Sequence, residues 1–371
     1  MTYLMTQKKR FPVRPGLTLV AALLIAACTP KAPAVSPAEA LLERLNTSVA
    51  DGKILYGHQD DLCYGHSWKV EDWRNDSVER SDIKDVAGKY PAIVGFDLGG
   101  IEMGDSLNLD GVPFGLIRKA AQAHVERGGI VTLSWHPRNP YTGSDAWDVS
   151  SNQVVASILP GGEKHDLFCL WLDRVAEFVG SLEVPVIFRP WHECSESWFW
   201  WGKDLCSEQE YIDLFRFTRK TLEEKGVKDL LWCYSPNGPF SQEKYLSRYP
   251  GDEYVELLGA DLYMFKPKNL YNEMAGVYFQ EQLSEMLATL DAIGKEHGKL
   301  ICLSETGLES INDPKWWTIA LYPAIKEYPV AYVLTWRNAW DRPDHFYAPW
   351  DGFSWAKDFV EFCNREQIEL L

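Results

Sequence analysis

The chain has 371 residues, of which 37 are basic and 53 acidic, giving a formal net charge of −16. With 46% hydrophobic and 24% charged residues it can form a large packed core, which excludes a disordered chain, a collagen-like fibre and a coiled coil. An excess of acidic charge repels phosphate backbones, so we expect no nucleic-acid partner. The 16 Trp, 17 Tyr and 16 Phe residues are more than a core usually needs. Because flat aromatic faces suit the C–H faces of sugars, sugars are the first class of ligand to expect.

The N-terminus has the pattern of an export signal. Basic residues precede the apolar run Leu17–Ala27, which is too short to cross a bilayer comfortably. The run ends in LIAAC, which resembles the lipobox of bacterial lipoproteins, in which the cysteine, here Cys28, is lipidated and becomes the first mature residue. We therefore predict a lipoprotein signal peptide over 1–27, a Pro- and Ala-rich tether over 28–38 and a single folded domain over 39–371.

A lipid on Cys28 would hold the protein at a bacterial membrane. No strongly acidic run of the kind associated with surface export follows Cys28, so the periplasmic side is favoured over the cell surface. The alternatives are an ordinary signal peptide or a lone membrane anchor, with Cys28 incidental.

Eight short apolar runs alternate with amphipathic, helix-like segments along the rest of the chain. Runs that are apolar on both faces are typical of parallel strands buried between helices and a packed interior. Eight strand–helix units predict one (β/α)8 barrel. A doubly wound open sheet is the alternative, but no Gly-rich phosphate loop follows an early strand. The predicted strands are Lys53–Gly57, Ala92–Asp97, Gly129–His136, Val184–Arg189, Leu230–Tyr234, Leu257–Tyr263, Leu300–Glu305 and Val330–Trp336. The predicted helices are Ser81–Gly88, Phe114–Arg127, Asp166–Leu182, Glu208–Lys225, Ser241–Tyr249, Gln280–His297, Pro314–Glu327 and Ser354–Asn364.

Charged and aromatic side chains collect where these strands end, which is the face of such a barrel that carries the active site. Loop-forming composition alone would favour Gly, Asn, Ser and Asp there. Burying charged groups at a barrel rim costs several kcal/mol unless they are paired or used, so this bias points to function. The residues in question are His136 after strand three, Arg189, His192 and Glu193 after strand four, Asp261 and Tyr263 after strand six, Glu305 after strand seven, and Trp336 and Arg337 after strand eight.

Glu193 and Glu305 follow strands that face each other across an eight-stranded barrel. Glycoside hydrolysis needs such a pair, one carboxylic acid to protonate the leaving oxygen and one carboxylate to attack or to activate water. Crowding two carboxylates raises the pKa of one of them. A gap of about 5–5.5 Å indicates a retaining mechanism and roughly 6.5–9.5 Å an inverting one. The alternative for each Glu is a structural ion pair with Arg189 or Arg337.

Four consecutive aromatic residues, Trp198 to Trp201, follow Glu193. They cannot all point into one core from a loop, so we expect some to form a lid on the barrel and some to stack on sugar rings. Trp198 is the preferred substrate contact and Trp336 a second platform. His136 and His192 are predicted to bond to sugar hydroxyls or to the carboxylates.

The motifs RPWHE at residues 189–193, WFWWG at 198–202 and SETG at 304–307 resemble family 26 of the glycoside hydrolases, the β-mannanases. Similarities at WHP (135–137), DLY (261–263) and TWRN (335–338) extend the resemblance over almost the whole mature chain, and GHQDD (57–61) resembles Bacteroidetes-type members. The resemblance implies a clan-A barrel and retaining cleavage of β-1,4-mannosidic bonds in mannan, glucomannan or galactomannan. It also implies the following roles: Glu193 as acid/base, Glu305 as nucleophile, Tyr263 bonded to Glu305, His192 against the sugar at the scissile bond, His136, Trp198, Trp336 and Arg337 along the subsites, and Asp261, together with Arg189, supporting the carboxylates.

Other activities stay open at this point. The same family includes β-1,3-xylanases and mixed-linkage β-glucanases, and a non-catalytic glycan-binding lipoprotein is a further alternative. No metal or organic cofactor is expected, because side chains supply both the attacking group and the proton. Seven cysteines follow Cys28 without metal-binding spacing, and Cys194 and Cys206, which flank one loop, could form a disulfide in an oxidising periplasm.

Overall fold

The computed structural model describes residues 1–5, 9–10, 12, 35–265 and 272–371, with the backbone alone for 272 and 273. The chain divides into two compact units, Met1–Val35 and Ser36–Leu371. Cys28 and the rest of residues 6–8, 11 and 13–34, which make up most of the predicted signal peptide and tether, lie outside the described residues. Within the described parts of the chain, no helix has the length and apolar character needed to span a membrane.

The second unit is built on a closed barrel of eight parallel strands. The strands pair in sequence order from β1 to β8, and β8 pairs back with β1 in parallel register. The predicted (β/α)8 architecture is confirmed, with small differences at the strand ends. The strands are β1 Ile54–Gln59, β2 Ile93–Asp97, β3 Ile130–Trp135, β4 Val186–Pro190, β5 Leu230–Tyr234, β6 Leu257–Tyr263, β7 Leu300–Gly307 and β8 Val330–Thr335.

Helices cover the outside of the barrel and close its lower end. They are α1 Pro37–Ala50, α2 Asp82–Ala87, α3 Phe114–Glu126, α4 Val154–Ile158, α5 His165–Gly180, α6 Glu208–Glu224, α7 Gln242–Leu246, α8 Asn272–His297, α9 Tyr322–Ile325 and α10 Ala356–Cys363. Short 3₁₀ turns span Ile101–Met103, Asp252–Tyr254 and Glu309–Ile311. A two-stranded hairpin of Tyr64–Gly65 and Trp68–Lys69 follows β1, and Ile368–Glu369 pairs with β1 near the end of the chain.

The helix predicted over Pro314–Glu327 differs from the structure. A π-helical turn over Trp316–Leu321 leads into the short α9. Pro323 lies at the start of α9 and has no backbone N–H to donate, so a continuous α-helix cannot run through this stretch. Two helices, α1 and α4, were not predicted.

Helix α1 begins inside the segment predicted as tether. Ser36 caps it, with its hydroxyl accepting from the backbone N–H of Glu39 while the Glu39 side chain accepts from the N–H of Ser36. The last two residues of the predicted tether, 37 and 38, are therefore helical.

Helix α1 closes the floor of the barrel. Its buried residues Ala38, Leu41 and Leu45 pack against the first residues of the strands, in one apolar cluster that includes Leu55 and Leu231. Burying this face of α1 removes apolar surface from water, which stabilises the fold by about 25 cal/mol per Å² of buried apolar surface. The floor is thus sealed by apolar side chains, and the polar strand ends are left to the opposite mouth.

Candidate active site

Three carboxyl groups meet at the mouth of the barrel. Glu193 follows β4, Asp261 lies in β6 and Glu305 in β7. One oxygen of each lies within 4.8 Å of an oxygen of each of the others, and all three residues are buried. This spacing is close to the 5–5.5 Å typical of retaining glycosidases and well short of the roughly 6.5–9.5 Å of inverting ones.

Glu193 lies on a strained segment of backbone. Its φ is 56° and that of Trp191 is 55°, in the left-handed region that non-glycine residues avoid at a cost of about 1–3 kcal/mol each. Neighbouring elements hold the segment in place. The N–H of Glu193 donates to the carbonyl of Ser235 at 2.8 Å, and the Tyr211 hydroxyl donates to the carbonyl of Trp191 at 2.7 Å. This backbone aims the Glu193 carboxyl at the other two.

Glu193 has a favourable environment for its protonated form. Burial raises the pKa of its carboxyl well above the usual value, and the charges of Glu305 and Asp261 raise it further. The indole Nε1–H of Trp198 donates to Glu193 Oε2 at 2.7 Å and opposes the rise, since it stabilises the charged form. Glu193 is therefore suited to carry a proton near neutral pH.

Glu305 is surrounded by donors instead. Its Oε1 accepts from Arg189 Nη2, and its Oε2 accepts from the Tyr263 hydroxyl at 2.7 Å. A guanidinium and a phenol on separate oxygens fix the orientation of the carboxyl group. The alternative from the sequence, an ion pair with Arg189, is present, yet Glu305 still faces Glu193.

Asp261 shares the same guanidinium. It is the register partner of Glu305 in the neighbouring strand, after a register shift between Ala260 and Asp261. It accepts from Arg189 Nη1 at 2.9 Å and from the Ser304 hydroxyl at 2.6 Å. Burial raises the pKa of Asp261 to about 8, with Arg189 opposing and Glu305 adding to the rise. Asp261 thus places Arg189 against Glu305.

The two predicted histidines contact each other. His136 Nε2 lies 3.0 Å from His192 Nε2, and His136 Nδ1 lies 2.6 Å from Asp97 Oδ2. Both rings are buried, and His136 also lines a cavity of about 350 Å³ between the loops that follow β2 and β3.

The aromatic run after Glu193 divides between the two expected uses. Trp198 is 40% exposed and touches Glu193, whereas Phe199, Trp200 and Trp201 are buried. The Trp200 indole donates to the carbonyl of Pro137 at 3.1 Å, so the three buried rings join this loop to the strand ends beneath it.

The residues predicted at the end of β8 are placed differently from each other. Trp336 is half-buried, with its ring centroid 6.4 Å from that of His136. Arg337 is 5% exposed, pairs with Asp110 at 2.8 Å and donates to the Tyr64 hydroxyl at 3.2 Å. Trp336 therefore borders the histidine pair, whereas the guanidinium of Arg337 is engaged with the loops that follow β1 and β2.

Cys194 and Cys206 are not joined. All cysteines among the described residues are free thiols. The Cys194 thiol contacts the Tyr234 hydroxyl at 3.8 Å, and the Cys206 sulfur lies 3.3 Å from Arg248 Nη1.

Comparison with known proteins agrees with this geometry. The family described as glycosyl hydrolase family 26 matches residues 32–305. The chain belongs to this family. A mannan endo-1,4-β-mannosidase of Bifidobacterium adolescentis is 31% identical over 342 residues, covering 85% of this chain but only 33% of that protein, so the chain spans about a third of that relative's length. A mannan endo-1,4-β-mannosidase of Bacillus subtilis is 24% identical, covering 71% of this chain and 70% of that protein.

Solved structures of the family superpose over the same range. A family 26 β-mannanase from Bacteroides ovatus is 45% identical with a TM-score of 0.84, covering 90% of this chain and 95% of that one. The catalytic domain of a Bacillus sp. endo-β-1,4-mannanase is 32% identical with a TM-score of 0.79, covering 91% and 93%.

Three residues of this family 26 site were not predicted from the sequence. Asp97 ends β2 as one acidic strand end among several, and nothing in the sequence links it to His136. Trp147 is 49% exposed and stacks on His136 with centroids 5.4 Å apart, but it lies in a long loop without a periodic pattern. Tyr347 lies beyond β8 and packs edge-on against Tyr263, with centroids 5.6 Å apart.

Tyr347 explains why a glycine follows Glu305 and Thr306. A Cβ at Gly307 would lie 2.4 Å from Tyr347 Cδ1, closer than real Cβ contacts allow. Asn338 holds Tyr347 in place by accepting from its backbone N–H at 3.0 Å. Tyr347 therefore supports Tyr263, and through it Glu305, only if residue 307 has no side chain.

We expect Gly307→Ala to destabilise the fold by about 1–3 kcal/mol, since the added methyl overpacks the site against the Tyr347 ring. Urea unfolding measures this. The matched control is Gly180→Ala, where an added Cβ meets open space. Equal stability of the two variants would contradict the proposed close approach.

Proposed function

We propose that this protein is a retaining glycoside hydrolase that cleaves β-1,4-mannosidic bonds in mannan, glucomannan or galactomannan. The observation that carries the proposal is the pair of carboxyl groups, Glu193 and Glu305, held within 4.8 Å in a buried site at the barrel mouth. At that distance a sugar carbon can be attacked by one group while its leaving oxygen is protonated by the other, with no room for a water between them.

In the first step the Glu305 carboxylate forms a bond to the anomeric carbon. The bond from that carbon to the leaving-group oxygen breaks, and the oxygen takes the proton of Glu193. Arg189 and Tyr263 hold Glu305 in a fixed orientation before the attack, which lowers the entropic cost of reaching the transition state. The product of this step is a glycosyl ester on Glu305 and an ionised Glu193.

In the second step a water replaces the departed sugar. Glu193, now a carboxylate, accepts a proton from the water, whose oxygen bonds to the anomeric carbon as the ester to Glu305 breaks. Two inversions at the same carbon retain the β configuration. The chemistry needs no metal or organic cofactor, since side chains supply the nucleophile and the proton.

Mannan is the favoured substrate among those cleaved by the family. The names of the relatives support it, and the aromatic lining offers faces for sugar stacking at Trp198 and Trp147. A non-catalytic glycan-binding protein is disfavoured, because such a protein would have no use for two buried carboxyl groups at catalytic spacing, which are costly to desolvate.

We further propose that Cys28 is lipidated and holds the protein at a bacterial membrane, with the periplasmic side favoured. The LIAAC sequence that ends at Cys28 supports this.

Metabolic labelling with a radioactive fatty acid tests the anchor. We expect label and membrane fractionation in the wild type, and loss of both in Cys28→Ser, with Cys63→Ser as the control because that thiol is buried in the fold. Unchanged labelling of Cys28→Ser would disprove the anchor.

We expect Glu305→Gln to lower kcat on galactomannan by more than about a thousandfold, because no nucleophile remains. Glu193→Gln is expected to lose about 10²–10⁴-fold on polysaccharide and less on an aryl mannoside with a good leaving group, where acid assistance matters less. Product release from mannohexaose and ¹H NMR of the first anomer formed provide the measurement.

The control for both variants is Glu196→Gln. Glu196 lies three residues after Glu193 but pairs with Lys203 at 3.4 Å, outside the carboxyl cluster. The activity of Glu196→Gln should therefore stay within a few-fold of that of the wild type. Retention of near-normal activity by Glu305→Gln, or an α-configured first product, would contradict the mechanism.

The rate should fall as the pH rises through the pKa of Glu193, because only the protonated acid can donate. Trp198→Phe removes the indole hydrogen bond that lowers this pKa. We therefore expect the alkaline limb of the kcat/KM profile to move to higher pH by up to about one unit. The control is Trp336→Phe, because no hydrogen bond between Trp336 and Glu193 is found among the described residues. This variant should alter activity without moving the alkaline limb. A shift of the limb to lower pH in Trp198→Phe would refute the assignment of Glu193 as the acid.

A further inference from the structure

Asp97 is buried at the end of β2 and accepts four hydrogen bonds. The backbone N–H of Gly99 donates to its Oδ1 at 2.7 Å, and the Ser134 hydroxyl donates to its Oδ2 at 2.6 Å. The other two contacts come from His136, whose backbone N–H donates to Oδ1 at 3.3 Å and whose ring Nδ1 lies 2.6 Å from Oδ2. An ionised carboxylate can only accept, so His136 Nδ1 must carry a proton.

The other nitrogen of His136 faces the second histidine. Its Nε2 lies 3.0 Å from His192 Nε2, so one proton lies between two ring nitrogens. Two arrangements satisfy this contact. If the proton belongs to His136, that ring is a cation and His192 is protonated at Nδ1. If the proton belongs to His192, both rings are neutral and His192 Nδ1 is bare.

The electrostatics favour the first arrangement. Burial alone would lower the pKa of His136, but the adjacent Asp97 carboxylate outweighs burial and the pKa is raised. Burial lowers the pKa of His192 well below its usual value, and the positive charges of Arg189 and His136 lower it further. The charged groups close enough to act on the pair are Asp97, Asp110, Glu305 and Arg189.

We propose that Asp97 is a positioning residue that keeps His136 doubly protonated, so that His136 Nε2–H donates to His192 and locks His192 as the Nδ1–H tautomer. Asp97, His136 and His192 then form a relay that ends in a hydrogen-bond donor. Its three members come from the ends of β2, β3 and β4, which are consecutive in the barrel.

The end of the relay is placed to meet a ligand. His192 is 1% exposed, and its Nδ1 has no hydrogen-bond partner among the described residues. A buried donor without a partner is costly, and an acceptor oxygen on a bound sugar removes that cost. His192 directly precedes Glu193, so the donor and the proposed acid follow the same strand, β4. This part of the inference rests on the proposed function.

The tautomer can be read directly in the free protein. We propose ¹⁵N-histidine labelling and long-range ¹H–¹⁵N correlation spectra at neutral pH, with the two rings assigned from His136→Gln and His192→Gln. We expect His136 to be protonated on both nitrogens and His192 on Nδ1 alone. A wild-type spectrum with His192 protonated on Nε2 would overturn the relay without any variant of Asp97.

Asp97→Asn tests the cause. The amide keeps the shape and can still accept from His136 Nδ1, but it has no charge to hold the second proton. We expect His136 to become neutral and His192 to lose its fixed Nδ1–H tautomer. The matched control is Glu102→Gln, another buried carboxylate of the same loop region, which bonds the Trp135 indole and the Arg138 backbone and neither histidine. It should leave both tautomers unchanged.

Kinetics separate a relay from a merely structural role. Asp97→Asn should lower kcat on mannohexaose by about ten- to hundredfold, with a smaller change in KM, since the lost hydrogen bond strengthens in the transition state. A loss confined to stability, with the His192 tautomer unchanged, would overturn the proposal. Because the spectra are recorded without substrate, failure of the wild type to cleave mannan would count against the proposed function alone.

Discussion

One guanidinium among three carboxyl groups determines how the site works. Arg189 is 3% exposed and reaches Asp261 with one nitrogen and Glu305 with the other. If all three buried carboxyl groups were ionised beside this single cation, two negative charges would be uncompensated, and desolvation makes such charges expensive. The cost is lowest if a proton is taken up by the group that Arg189 does not bond, which is Glu193. The same cluster therefore contains both a base and an acid, and the placement of Arg189 determines which is which.

The barrel holds Glu305 and Glu193 in place in different ways. Arg189, Asp261 and Glu305 lie within β4, β6 and β7, where strand pairing fixes their relative positions. Glu193 lies just past β4, on a left-handed backbone held by Ser235. A rigid strand suits the nucleophile, whose distance to the anomeric carbon must be controlled closely. The strained turn instead lifts the acid out of the strand, toward the leaving oxygen.

Much of the fold and of the carboxyl pair could be predicted from the sequence, because the apolar pattern of each strand is contained in a few consecutive residues. Eight apolar runs identify the barrel, and whatever follows each run must meet at one mouth, which brings Glu193 to Glu305 without knowledge of any loop. The stacking of Trp147 on His136, and the packing of Tyr347 on Gly307, depend on the paths of loops and on tenths of an ångström. Sequence periodicity gives no information about loop paths or about such small distances. The sequence SPAE at residues 36–39 has the capping-box pattern that begins α1, but the prolines around it favour a tether when only the sequence is considered.

The carboxyl cluster also explains how Glu193 can act as an acid in the first step and as a base in the second. In the free enzyme burial and the Glu305 charge raise the pKa of Glu193 well above its usual value, which favours the protonated acid when substrate arrives. Once Glu305 is esterified to the sugar, it no longer carries that charge. The pKa of Glu193 must then fall, which leaves it ionised as the second step requires. The same loss of charge weakens the support for the cation on His136, since Glu305 also raises the pKa of that ring.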